Sequence, residues 1–233
     1  MTLLSKNIKE KTVNPELVDY VNKYILPLYS AFDKGHQQDH IQDVWKSCQQ
    51  IIKDNGIVNV NINMMYVVAH YHDIGMTINR PEHHIYSGRL LKADKFINHM
   101  FSPADVDTMA IAVTDHRASN EHAPRNIYGE IVADGDRQLD DIDKTVKRFY
   151  FAMIIKNKDE YTSLSKEEFF DQLIYNRICQ KYGSNGEHGY LTLNFKQSPA
   201  QKELDEIAIM AKANMYEIYS KQYDHDQLSA KTQ

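Results

Sequence analysis

VVAHYHDIGM, residues 67–76, carries an apolar helical run directly into a histidine–aspartate doublet, and its reading decides the fold. Side chains at i, i+3, i+4 and i+7 share one face of a helix. From about residue 61 to 73 that spacing holds, with Gly75 as the expected C-terminal stop. His72 follows Met65, Val68 and Ala69 on the apolar face, and Asp73 follows Tyr66 and Ala69 one position round. A lone inward imidazole is ordinarily a core residue bonded to a carbonyl. An inward carboxylate is harder to place, because once ionised it needs a partner or a metal.

The same test on the neighbouring segments finds more inward polar groups. A helix over about 39–55, with Asp39 as its N-cap and Gly56 as its stop, puts His40 in line with Val44, Cys48 and Ile51. A helix from Pro103 to about residue 117 puts His116 in line with Met109 and Val113. One over about 126–140 puts Asp136 in line with Tyr128 and Val132. Its neighbour Asp134 aligns with Glu130, Arg137 and Asp141, which reads as a polar, solvated face. Several helices offering inward His and Asp, with no thiolate, point to a metal centre that takes Fe, Mn, Co or Zn in a catalytic role.

The rest of the chain reads as more helix. Nine Gly and six Pro in 233 residues favour long helices over many short strands. A first helix follows Pro15 to about residue 32, kinked or ended by Pro27. Another starts near Pro81. Further helices fall at about 142–157, 166–182 and 201–219, with a short extended piece around Tyr190. Residues 1–14 are read as a mobile N-terminus, 15–160 as the main domain, and 161–233 as a C-terminal helical extension packed on it. Apolar faces in that extension allow a homodimer as well.

Net charge is −5, so no electrostatic footprint for nucleic acid or anionic membrane is expected. No apolar run reaches the roughly 18 residues of a spanning helix. Two lone cysteines, Cys48 and Cys179, fit a reducing cytoplasm. Of the eleven histidines, His70, His99, His122, His188 and His225 read as surface or structural.

With these residues in view, the chain resembles the HD superfamily of metal-dependent phosphohydrolases over about residues 30–140. GHQQDHIQDV is similar to the family's first histidine segment, VVAHYHDIGM to its His-Asp doublet, and IVADGDRQLD to its final aspartate segment. HHIYSGRLL resembles the segment of two-metal members in which a histidine lies four residues before a glycine. IAVTDHRASN resembles the histidine segment that follows it. The resemblance implies an all-α HD-domain bundle and a ligand series His40, His72, Asp73, His84, His116 and Asp136. That series is similar to the one in HD-GYP phosphodiesterases and HD-type diadenosine tetraphosphate hydrolases, although the GYP signature is absent. Spacing alone leaves His83 in competition with His84.

The resemblance further implies one or two divalent transition metals, with Asp73 bridging them. His40, His72 and Asp136 would complete one site, and His84 and His116 the other. A metal-activated water would attack a small phosphorylated substrate, a nucleotide above all. Many relatives carry Lys where this chain has Met76, so the phosphate-binding cation must come from elsewhere. Arg117 and Arg125 lead, ahead of Lys34 and Arg80, and His36 is a candidate for orienting substrate. Two other readings stand beside this one: a mixed-valent di-iron oxygenase with the same ligands, and a non-catalytic nucleotide-binding module.

Overall fold

In the computed structural model the described residues are 12–32, 38–117, 120 and 122–137, together with 165, 168, 194 and 195. They are helical, with no strand among them, as an all-α fold requires. The helices expected beyond residue 140, residues 1–11 of the expected N-terminal segment, Lys34, His36, Cys179, His188, Tyr190 and His225 lie outside the described residues.

Pro15 opens α1 (Pro15–Tyr20), capped by the Asn14 side chain on the Glu16 N–H. The helix does not continue unchanged to residue 32. It widens to a π-helical turn, Val21–Ile25, and then tightens to a 3₁₀ segment, Leu26–Ala31. Pro27 lies in the first turn of that segment, where its missing N–H cannot serve an α-helical ladder. The second helix, α2 (Gln38–Asp54), ends as expected at Gly56, whose φ of 61° is the left-handed stop that glycine allows. It starts one residue before Asp39, so Asp39 lies in the first turn and is not the cap.

The third helix, α3 (Ile62–Tyr71), is the centre of the fold. Asn61 caps it, and Met64 to Tyr71 are all buried. A helix apolar on every side must be surrounded, and α3 packs against α2, α4 (His83–Ala93), α6 (Pro103–Asp115) and α7 (Ile127–Asp136). It ends at Tyr71, with His72 as its C-cap, and a 3₁₀ turn, Ile74–Thr77, leads on to α4.

The stretch from Pro81 to Pro103 breaks at Asp94 into α4 and a short α5 (Lys95–Met100). Asp94 caps α5 by accepting the N–H groups of Phe96 and Ile97. Its Oδ2 also accepts the hydroxyls of Tyr20 at 2.8 Å and Tyr71 at 2.6 Å. One carboxylate thus ties together α1, α3 and α5. Asp94→Ala is expected to cost about 1–2 kcal/mol, the worth of an N-cap plus the hydroxyl bonds, read as a lower urea midpoint with an unchanged slope.

Candidate metal centre

Five elements meet at one point. His40 lies in the first turn of α2, His72 and Asp73 follow α3, His83 begins α4, and His116 caps α6; Asp136 is the last residue of α7. Their side chains form three overlapping groups able to hold a metal ion: His40 with His72 and Asp73; His72 with His116 and Asp136; and Asp73 with His83 and His116.

Asp73 is the hinge of the arrangement. Its Oδ2 lies 3.4 Å from His72 Nε2. Its Oδ1 lies 3.2 Å from His83 Nε2 and 3.5 Å from His116 Nε2. Asp136 Oδ1 closes the first half, 3.1 Å from His40 Nε2 and 3.6 Å from His72 Nε2. In the second half, His83 Nε2 and His116 Nε2 are 3.3 Å apart.

Three of the histidines are oriented in the same way. Nδ1 of His72 donates to Ala69 O at 2.7 Å, Nδ1 of His83 to Arg80 O at 2.8 Å, and Nδ1 of His116 to Val113 O at 2.6 Å. Each carbonyl is three residues back along the chain. For His72 and His116 it is one of the last carbonyls of the preceding helix, which have no partner within that helix. With the proton on Nδ1, the neutral ring aims an Nε2 lone pair at the centre. Lone pairs of imidazole and carboxylate then converge on each other, which is favourable only with positive charge between them. His72 Nε2 makes that need plainest, being buried with no hydrogen-bond partner of good geometry.

The electrostatics agree. Burial alone would push both carboxyl groups up, but the facing imidazoles dominate. His72, with His116 and His83, holds Asp73 well below the usual carboxylate range, and His40 and His72 do the same to Asp136. Burial would likewise hold His72 down, yet Asp73 and Asp136 raise it well above an ordinary imidazole. The clustered imidazole and carboxylate atoms could therefore hold a cation. The centre is open on one side, since Asp136 keeps 29% of its side chain exposed and His83 16%, against 0% for His72.

Of the residues expected from sequence, His40, His72, Asp73, His116 and Asp136 come together. His84 does not: it belongs to none of the three groups, and His83 takes the place beside Asp73 and His116. Successive helical residues point about 100° apart, so only one of the pair can face Asp73. The bond from His83 to Arg80 O selects it. Burial and the nearby His116 and Arg117 push His84 down to about 4, so it stays neutral near pH 7.

Each of the two arginines expected near the site has a partner within the protein. Arg125 is committed to Asp115: its Nε and Nη2 reach the carboxylate at 2.9 and 2.7 Å, and its backbone N–H reaches it at 2.9 Å. Asp115, fully buried beside His116, went unnoticed in the sequence, where its signal was only an Asp-His doublet with Arg ten residues on. Arg117 Nη1 donates to Pro81 O at 2.6 Å, bridging the end of α6 and the turn before α4. Arg125→Ala is expected to lower stability by about 1–2 kcal/mol, reduced from the figure for a buried pair because the guanidinium is half exposed. KM for any substrate should be unchanged, where a substrate-binding arginine would raise it.

Asp134 and Arg137 are not on a solvated face. Both are buried, and Asp134 accepts hydrogen bonds from Asn194 and Phe195. His70, read as surface or structural, is structural: it is buried, with Nδ1 bonded to Tyr66 O at 2.7 Å. Tyr29, absent from the sequence reading, is fully buried and its hydroxyl donates to His70 O at 2.8 Å, bracing the turn that carries His72 and Asp73.

No protein-family model, no curated protein and no solved structure matches the chain. No helix among the described residues is long and apolar enough to cross a membrane.

Proposed function

We propose that the chain is an HD-type metal-dependent phosphohydrolase that cleaves a phosphate ester or anhydride of a nucleotide or small phosphorylated metabolite. The observation that carries this reading is the split Asp73 carboxylate, with one oxygen facing His72 and the other facing His83 and His116. That is the layout of a carboxylate shared by two cations. Imidazole and carboxylate donors without thiolate suit Fe, Mn, Co or Zn. A divalent metal bound there supplies Lewis acidity, lowering the pKa of water and offsetting charge on a phosphate.

The chain's own residues do the rest. His40, His72, Asp73 and Asp136 would hold one ion, and Asp73, His83 and His116 a second. The carbonyls of Ala69, Arg80 and Val113 keep three of the rings in the ligating tautomer. The open edge at Asp136 and His83 is where a phosphate group enters. With Arg125 tied to Asp115, Arg117 is the arginine left to meet phosphate oxygens, its bond to Pro81 O holding it between the end of α6 and the turn before α4.

The test is phosphate release from a panel of nucleoside mono-, di- and triphosphates, dinucleoside polyphosphates, cyclic dinucleotides and sugar phosphates, with Mn²⁺ added. Release from at least one class, absent in His72→Ala, is the expected result. Iron-loaded protein that releases no phosphate and consumes oxygen would replace this reading with the oxygenase. Tight nucleotide binding without turnover would replace it with the binding module.

A further inference from the structure

The last turn of α7 offers three consecutive residues to three different partners. Asp136 faces His40 and His72. Gly135 lies on α2, so close that a Cβ there would sit 2.8 Å from Cys48 Sγ and 3.5 Å from Val44 O. Asp134 is fully buried and faces a segment 60 residues away in the chain. Its Oδ1 accepts the Asn194 N–H at 3.1 Å and the Asn194 side-chain amide at 2.8 Å, and its Oδ2 accepts the Phe195 N–H at 2.9 Å. The Phe195 ring packs on the core beside it. Three N–H donors on one buried carboxylate make a directional anchor.

Neighbouring side chains on a helix are held about 100° apart. Once Gly135 is seated on α2 and Asp134 is gripped by Asn194 and Phe195, the direction of Asp136 is set. We propose that Asp134, Asn194 and Phe195 form a clamp that positions Asp136 and couples the 194–195 segment to the metal centre. Asp134 is a positioning residue and touches no metal or substrate itself. The inference rests on the metal-centre reading above. Coupling is reciprocal, so metal at the centre tightens the clamp as the clamp favours metal.

The experiment is Mn²⁺ titration of the full chain, wild type against Asp134→Asn and Asn194→Ala. The asparagine cannot accept all three N–H bonds, and its Mn²⁺ affinity should fall roughly ten-fold, the lower end of what losing a group that orients a ligand costs. Asn194→Ala removes only the amide donor and should weaken Mn²⁺ a few-fold (roughly 2–5), in a chain far less at risk of misfolding. Hydrogen exchange at the Asn194 and Phe195 amides of wild-type protein should slow when Mn²⁺ is added. Variants that melt earlier but bind Mn²⁺ like wild type, or exchange at those amides indifferent to Mn²⁺, overturn the clamp and leave Asp134 a plain structural anchor. A wild-type chain that binds no Mn²⁺ overturns the metal-centre reading, and the clamp's role falls with it.

Discussion

Asp73→Ala should empty both halves of the centre at once. Its two carboxylate oxygens face His72 on one side and His83 with His116 on the other, so on the proposed reading its loss touches both halves. Losing a residue that merely orients a ligand costs metal affinity by about ten- to hundred-fold. Losing the shared ligand itself should cost more, on the order of a thousand-fold, and any phosphate release should fall to background. The neighbouring changes give the contrast. His83→Ala should empty only the half shared with His116, whereas His84→Ala should leave metal content near wild type. Elemental analysis of the three proteins, purified in parallel, reads the pattern directly. Equal losses in His83→Ala and His84→Ala would contradict the assignment.

Gly75→Ala should be the most damaging single methyl in the described fold. Gly75 sits in the 3₁₀ turn between Asp73 and α4, and its N–H donates to Ser87 Oγ at 2.8 Å. A Cβ there would lie 2.1 Å from His83 O and 2.6 Å from Ser87 N, both main-chain atoms that no rotamer change can move. The turn or the start of α4 must give way. Overpacking of this kind costs about 3 kcal/mol or more, which for a chain of this size lowers Tm by roughly 6–12 °C. Because the displaced element carries His83, metal affinity should fall as well. A Gly75→Ala protein with wild-type Tm and metal content would show that the contact between this turn and α4 is looser than described.

The contrast between these two residues shows what the sequence could reveal. Asp73 was legible because helix periodicity assigns a face, and a carboxylate on an apolar face stands out locally. The same reasoning found His40, His72, His116 and Asp136. Gly75 reads from sequence as a helix stop, since that is what glycine after a helix commonly does. Its φ is not positive, and its actual partner is the backbone of α4. Asp134 departs from expectation for a similar reason. Its polar alignment with Glu130 and Arg137 suggested solvent, whereas the donors that make its burial tolerable come from Asn194 and Phe195. His83 and His84 could not be separated by spacing, and the deciding contact is a carbonyl in the turn before α4. Local faces were readable; pairings made by tertiary contact were not.

On the proposed function, Asp73 would be shared by two metal ions. The most direct measurement is transition-metal content by elemental analysis of protein purified without chelators, repeated after reconstitution with Mn²⁺, Fe²⁺, Co²⁺ and Zn²⁺. Roughly two ions per chain are expected for at least one of these metals, as in two-metal hydrolases, falling to none in Asp73→Ala. No bound metal under any of those conditions would contradict that reading.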